Sequence, residues 1–231
     1  MKKIGRVLIL TLICGIIVVA IITSTTKTTP ISEKIWYDGM TMGDTNAKNY
    51  FVVYTDLMCP YCNLYANEVY KNEKEFEQYL ADNSILYEVR VTDMLYEGNG
   101  VEESRPAAEG AYCANREGKF WDYYHATLEA IEKDYYSRGI GDSKTSPKIT
   151  DITREYWKKI AHSVGLGESF DTCYDNKETV AEISERTYKA STALESGLPT
   201  FAFNKFVSGG YDPTWDFDTI KEMYDAGLKS H

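Results

Sequence analysis

A Cys-Pro-Tyr-Cys motif between a strand and a helix constrains this chain more than any other feature. Residues 49–55 (NYFVVYT) are β-branched and aromatic, as is typical of a strand, and the motif begins soon after them at Cys59. Beyond the motif, apolar residues recur at helical spacings among polar ones: Tyr65, Val69, Phe76 and Tyr79. We therefore predict that Cys59 lies at a helix N-terminus, where Pro60 suits the first helical position because that position needs no N–H.

This position predicts a reactive dithiol. Only a thiolate attacks a disulfide, and the unpaired amides and positive dipole end of a helix start stabilise such an anion. We expect Cys59 to be the nucleophile and Cys62, one turn later and shielded by the helix, to be the resolving thiol. A mixed disulfide between Cys59 and a client protein, released by attack of Cys62, interconverts a client dithiol and disulfide without a metal or organic cofactor.

A zinc site is the alternative interpretation, because a CxxC pair is also half of many zinc sites. The second half is missing here. Cys113 and Cys173 have no cysteine nearby in the sequence, and the histidines are scattered at His125, His162 and His231. The sequence favours redox chemistry, and we expect no metal.

The remaining pattern predicts an α/β chain. We expect a strand at 85–91, a Gly-containing loop at 97–100, two short strands at 200–203 and 206–208, and a closing helix at 215–228. Helices are predicted at about 105–117, 119–137, 151–163 and 177–195. This order is a thioredoxin fold with a helical insertion, at about 100–195, between the half that carries the CxxC and the half that carries a late proline.

That proline follows a glycine and opens the strand TFAF in the sequence Gly197-Leu198-Pro199-Thr200. It is either an edge-strand proline or the cis-proline that faces the CxxC in thioredoxin folds. We expect the second, which would leave the backbone of Leu198 free to pair with an extended client. The predicted client-binding residues are Pro60, Tyr61, Leu198 and Pro199.

The N-terminal segment predicts export. A short basic stretch precedes the apolar residues 7–22, which are long for a cleaved signal and slightly short for a spanning helix of about 20 residues. We expect an uncleaved anchor, with a cleaved signal as the alternative. Residues 1–29 then form the anchor and tether, and residues 30–231 form one domain outside the cytoplasm, at the cell surface or in the periplasm.

The chain is acidic, with a formal net charge of −10. Residues 1–29 hold four basic side chains and no acid, so the rest has 21 basic against 35 acidic side chains, a net of −14. This charge argues against nucleic acid as a partner and favours solubility. A preference for basic clients is the alternative interpretation.

The sequence resembles the DsbA-like branch of the thioredoxin superfamily, in particular its CPYC group, over roughly residues 44–228. The resemblance is carried by Gly43-Asp44, Asp56-Leu57-Met58-Cys59-Pro60-Tyr61-Cys62, Gly118-Lys119-Phe120-Trp121 with His125, Phe170-Asp171-Thr172-Cys173, and Leu198-Pro199-Thr200-Phe201. It implies an exported thiol-disulfide oxidoreductase, often one that oxidises newly translocated proteins. We expect a monomer that is reoxidised by a quinone-linked membrane partner. Similar members carry a structural disulfide, which we expect between Cys113 and Cys173, with two buried thiols as the alternative.

Three departures from the family pattern matter. Val53 stands where many relatives have an acid, so proton transfer to and from Cys62 is left to Asp56 or water. Leu198 and Lys205 replace residues that are common around the cis-proline, which predicts a different client preference. Tyr61 replaces the histidine of the most oxidising members, which predicts a milder oxidant.

Two other functions stay open. A disulfide reductase or isomerase would use the same residues, because direction depends on potential and electron partner. A tethered chaperone or adaptor could keep the fold without the activity, although the intact CxxC argues against it. We expect His125 to be a packed histidine on an aromatic helix face and not a catalytic one.

Overall fold

The computed structural model of the protein describes residues 40–194, 197–204 and 206–229. The predicted anchor and tether at 1–29, the start of the predicted domain at 30–39 and Lys205 lie outside these residues. Within the described ranges, no helix is both long and apolar enough to cross a membrane.

The described residues contain one mixed sheet. Its strands are β1 (Thr41–Met42), β2 (Asn49–Thr55), β3 (Ile85–Val91), β4 (Thr200–Phe203) and β5 (Phe206–Gly209). They lie in the order β1-β3-β2-β4-β5, with β2 and β3 parallel and every other neighbouring pair antiparallel. The predicted thioredoxin-type α/β fold is confirmed. The edge strand β1 was not predicted, because a strand of two residues has no recognisable sequence pattern.

Helices cover both faces of this sheet. They are α1 (Pro60–Lys71), α2 (Glu73–Asp82), α3 (Met94–Asn99), α4 (Ser104–Arg116), α5 (Phe120–Asp134), α6 (Arg154–Ser163), α7 (Glu168–Asp175), α8 (Val180–Ala193) and α9 (Phe217–Lys229), with a 3-10 helix at Tyr136–Arg138. Helices α3 to α8 stand between β3 and β4, which is where the helical insertion was expected.

Three local predictions were wrong. The helix after the motif is broken at Asn72, whose side-chain amide donates to the carbonyl of Glu68 at 2.9 Å and ends α1. The loop expected at 97–100 is mostly the end of α3, which stops at Gly100 because that residue has a left-handed backbone, φ 66°. Helix α7 was missed, since eight residues are too few to show a clear helical period.

Successive side chains of β2 point to opposite faces of the sheet, so they pack into two separate hydrophobic clusters. Phe51 and Val53 point into the main core, while Val52 and Tyr54 pack on the other face against Ala190 of α8. All four strand residues are buried. The carboxyl end of β2, where the motif begins, is therefore held from both sides.

Helices α1 and α5 run antiparallel. Near the end of α1 the ring of Tyr70 lies against that of His125, with centroids 3.9 Å apart, early in α5. One turn into α1, Asn63 Nδ2 donates to the Leu128 carbonyl at 3.0 Å, later in α5. These two contacts fix the direction of α5 against α1.

Candidate active site

Cys59 lies at the junction that the sequence predicted. After β2 ends, a turn closes with the Cys59 amide donating to the Asp56 carbonyl at 2.9 Å. Cys59 has an extended backbone and caps α1, Pro60 is the first helical residue, and the Asn63 amide donates to the Cys59 carbonyl at 2.9 Å. The Cys59 sulfur thus stands at the helix end that favours an anion.

The proline loop, distant in sequence, meets this sulfur. Cys59 Sγ donates a hydrogen bond to the carbonyl of Leu198 at 3.7 Å, across 139 residues of chain. The Leu198–Pro199 peptide bond is cis and leads into β4. The structure therefore brings together Cys59, Pro60, Leu198 and Pro199, while Tyr61 on the next helical position is 46% exposed.

Cys62 lies one helical turn behind and is fully buried. Burial raises the pKa of its thiol well above the ordinary value, and the neighbouring Cys59 raises it further. Hydrogen bonds from the Asp56 amide and the Thr55 side chain act in the opposite direction. Cys62 consequently keeps its proton in the reduced protein, and attack by its sulfur requires that the proton leave.

Asp56 is the acid nearest to the motif in the sequence, and it is fully buried. Its carboxylate accepts hydrogen bonds from the Met58 amide at 2.9 Å, the Leu95 amide at 3.0 Å and the Ser104 hydroxyl at 2.6 Å. Burial raises its pKa to about 6 even though these hydrogen bonds lower it. Val53, where relatives carry an acid, lies instead in the main apolar core.

The second cysteine pair lies in the helical insertion. Cys113 of α4 and Cys173 of α7 form a disulfide with an S–S distance of 2.05 Å and a Cα–Cα distance of 5.9 Å. Arg116 Nη1 lies 3.7 Å from Cys173 Sγ and 2.9 Å from Glu178 Oε2 beside this bridge. The bridge ties two helices of the insertion together.

The structure also shows a surface that the sequence analysis missed. A groove of about 930 Å³ is lined in part by Leu64 and Tyr70 of α1 and by Tyr211 and Trp215 before α9. Leu64 is 39% exposed, two positions after Cys62. Leu64 itself could have indicated this surface in the sequence. It is an apolar residue that lies outside the helix face formed by the buried residues Tyr65 and Val69.

His125 is not part of the dithiol site. Its ring lies tilted against that of Tyr70 and near that of Trp121, with centroids 3.9 Å and 5.8 Å away. Burial lowers its pKa to about 4, so the ring is neutral at neutral pH. Its contacts are those of a packed aromatic-face residue.

Comparison with known proteins agrees with this geometry. A family model described as "Thioredoxin" matches residues 37–215. The chain belongs to this thioredoxin family. Two curated relatives, from Rickettsia typhi and Rickettsia conorii, are each named "Putative protein-disulfide oxidoreductase" and are 24% identical over 89% and 88% of this chain. The alignments span 67% and 65% of the relatives' own lengths, so this thioredoxin-family chain corresponds to about two thirds of them.

Solved structures with low sequence identity share the fold. BdbD of Bacillus subtilis is 21% identical, with a TM-score of 0.59 over 82% of this chain and 92% of that one. The thiol-disulfide exchange protein alpha-DsbA2 of Wolbachia pipientis is 19% identical, with a TM-score of 0.55 over 80% and 85%. This likeness confirms the fold that the resemblance to DsbA-like chains implied.

Proposed function

We propose that this chain is an extracytoplasmic thiol-disulfide oxidoreductase that introduces disulfides into exported proteins through Cys59 and Cys62. One observation carries the proposal. The Cys59 sulfur lies at the start of α1, 3.7 Å from the Leu198 carbonyl, with Cys62 buried one turn behind it. The names of the Rickettsia and Wolbachia relatives agree with this chemistry.

The proposed reaction starts from a Cys59–Cys62 disulfide. A client thiolate attacks Cys59 Sγ, a client–Cys59 bond forms, and Cys62 leaves as a thiolate that takes up a proton. A second client thiolate then attacks the client sulfur of this mixed disulfide and releases Cys59 as a thiolate. The client loses two electrons to the Cys59/Cys62 pair, and no metal or organic cofactor takes part.

Client contacts would come from the residues that border the Cys59 sulfur. An extended client segment would pair with the backbone at Leu198 and Pro199, next to Pro60 and Tyr61. The neighbouring groove supplies apolar surface together with acidic side chains, among them Glu68, Glu129 and Glu132. This lining suits clients whose segments near the cysteine are apolar or basic.

The remaining parts of the proposal concern location and partners. The apolar residues 7–22 would anchor a monomeric domain at the outer side of the membrane. A quinone-linked membrane protein would reoxidise the Cys59/Cys62 pair. Both parts rest on the sequence and on the family resemblance.

The reduction potential of the dithiol tests the direction of the reaction. Tyr61 offers no cation, so the helix start alone stabilises the reduced form, and we expect a potential above about −270 mV, that of thioredoxin, but below about −120 mV. Equilibration of the full chain with glutathione buffers measures it. A potential at or below that of thioredoxin would replace the oxidase with a reductase and leave both cysteines in their roles.

A separate assay tests whether the chain is an enzyme at all. We expect the full chain to catalyse reduction of insulin disulfides by dithiothreitol, because either direction of exchange uses Cys59. A chain that binds unfolded clients but does not accelerate this reaction would be a tethered chaperone or adaptor.

A further inference from the structure

The carboxylate of Asp56 is a buried charge that the proposed reaction does not use. It belongs to residues 56–59, which we call the dithiol turn because they lead from β2 to the first cysteine of the motif. Three neutral donors contact its two oxygens: the amides of Met58 and Leu95 and the hydroxyl of Ser104. A buried anion is costly, and these three hydrogen bonds offset that cost.

One carboxylate oxygen fixes the shape of the dithiol turn. The Met58 amide donates to Asp56 Oδ1 at 2.9 Å, and the Cys59 amide donates to the Asp56 carbonyl, also at 2.9 Å. Asp56 therefore holds the backbone immediately before α1. At this point the Cys59 sulfur meets the Leu198 carbonyl at 3.7 Å, so a shift of the turn would move the sulfur relative to that carbonyl.

The other carboxylate oxygen ties the dithiol turn to the helical insertion. Asp56 Oδ2 accepts hydrogen bonds from the Leu95 amide in α3 at 3.0 Å and from the buried Ser104 hydroxyl in α4 at 2.6 Å. The next residue of α4 makes a similar contact after β3, since Arg105 Nε lies 2.6 Å from Asp93 Oδ2. The start of α4 thus holds the chain beyond both parallel strands, and the Ser104 contact is the one that reaches the dithiol turn.

A carboxylate suits this position because it only accepts hydrogen bonds. Two of its three partners are backbone amides, which can only donate. An asparagine at position 56 would direct its NH2 group toward the Met58 amide in one orientation and toward the Leu95 amide in the other. An amide of the same shape therefore cannot make all three hydrogen bonds.

We propose that Asp56 and Ser104 are positioning residues that fix the Cys59 sulfur between the helical insertion and the Leu198 carbonyl. This inference rests on the proposed function, in which a client segment paired at Leu198 must bring its thiolate into line with the disulfide bond that breaks. Neither residue takes part in making or breaking a bond. They act by holding the sulfur where the client thiolate arrives, and such alignment strongly affects the rate.

The size of the effect follows from what else holds the dithiol turn. A misplacement of about 1 Å can lower a reaction rate about a hundredfold. Leu57 and Met58 are buried in the main core and would still hold the turn approximately when one hydrogen bond is lost. We therefore expect a smaller displacement, and a loss of about tenfold, when the Ser104 hydroxyl alone is removed.

The test is Ser104→Ala in the full chain, which removes one hydroxyl and keeps the Asp56 carboxylate. The oxidised variant should react with a dithiol peptide about tenfold more slowly than the parent chain at saturating peptide. The peptide concentration that gives half the maximal rate should not change, because the backbone at Leu198 is untouched. Acid quenching at set times, followed by separation of the oxidised and reduced chains, measures both quantities.

The matched control is Tyr112→Phe, which also removes one buried hydroxyl from α4. The Tyr112 hydroxyl donates to the Val91 carbonyl at the end of β3, at 2.9 Å, and not to the dithiol turn. This variant loses a comparable hydrogen bond between α4 and the sheet. It should therefore be destabilised to urea much as Ser104→Ala is, yet react with the peptide at the rate of the parent chain.

An unchanged maximal rate in Ser104→Ala would overturn the inference, and so would equal losses in Ser104→Ala and Tyr112→Phe. A loss that appears only as weaker peptide binding would overturn it as well. If Ser104→Ala does not fold, Asp56→Asn replaces it and should lose at least tenfold, whereas a parental rate in that variant would equally overturn the inference. Failure of the proposed function is distinct, because the parent chain itself would then not react with the dithiol peptide.

Discussion

The two cysteine pairs of this chain are equally buried but differently placed. The exposed fractions are 5% and 1% for Cys59 and Cys62, against 1% and 8% for Cys113 and Cys173. The first pair spans one helical turn, whereas the second joins α4 and α7 across 60 residues. Burial therefore does not distinguish a reactive pair from a structural one.

What distinguishes the pairs is the chemistry around each sulfur. Cys59 stands at a helix start and meets the Leu198 carbonyl, and Cys62 has a raised thiol pKa. Such a pair can change partners, because one sulfur stands at a helix start and the other is buried one turn behind it as a thiol. The Cys113–Cys173 disulfide lies inside the helical insertion and closes a long loop, which stabilises the folded state.

Removing each sulfur of the Cys59/Cys62 pair in turn should have the largest effect on exchange. We expect Cys59→Ser to abolish exchange, because the nucleophile is lost. Cys62→Ser should instead accumulate a mixed disulfide with a model peptide, because only the release step is lost. Non-reducing mass spectrometry of each variant after incubation with the peptide disulfide distinguishes the two results.

The alanine variants supply the control for these roles. Cys62→Ala should react with the model disulfide much faster than Cys59→Ala. Equal rates for the two would show that the assigned roles are wrong.

The bridge should behave in the opposite way, affecting stability and not exchange. Replacing both Cys113 and Cys173 by alanine removes a closed loop of 60 residues. The chain-entropy estimate for such a loop lowers the free energy of unfolding by about 4 kcal/mol. Urea unfolding under non-reducing conditions measures the loss, and the folded variant should still catalyse exchange.

Mass spectrometry of the natural protein provides the matching control. We expect Cys113 and Cys173 to resist alkylation until the chain is denatured and reduced. Two freely alkylated thiols at these positions would refute the bridge and leave the assignment of Cys59 and Cys62 untouched.

The same comparison explains which features could be predicted from the sequence. The strands at 49–55 and 85–91 were found because β-branched and aromatic runs are local signals, and the junction at Cys59 followed from them. The approach of Leu198 to Cys59 required the family resemblance, since 139 residues separate the two. Local patterns contain no information on such a contact.

Features that depend on packing could not be predicted at all. The break at Asn72 arises because one side-chain amide competes for a helix carbonyl, and the helical periodicity continues across it. The groove beside α1 likewise forms where Leu64 and Tyr70 meet Tyr211 and Trp215, which lie far from them in the sequence.

The raised pKa of the buried Asp56 carboxyl should make the stability of the reduced protein depend on pH. Burial raises the pKa of the Asp56 carboxyl from its ordinary 3.8 to about 6, so the folded state binds this proton more tightly than the unfolded state. The resulting stability is present below pH 4 and is lost as pH rises through about 6, amounting to roughly 3 kcal/mol at most. Asp56→Asn cannot titrate, so its free energy of unfolding should lack this decline between pH 4 and pH 7. Urea unfolding of both reduced proteins across that range measures the difference.

Asp212→Asn is the control for this pH effect and has the opposite sign. Asp212 is exposed, and hydrogen bonds from the Thr214 amide and hydroxyl lower the pKa of its carboxyl. Its contribution to the free energy of unfolding therefore increases as the pH rises, whereas that of Asp56 decreases. Parallel pH curves for the natural chain and Asp56→Asn would contradict the raised pKa. A decline present only in the natural chain would instead show that the dithiol stands beside a carboxyl that changes charge near pH 6. If that carboxyl also accepts the Cys62 proton, Asp56→Asn should lose an inflection near pH 6 in the rate of mixed-disulfide release.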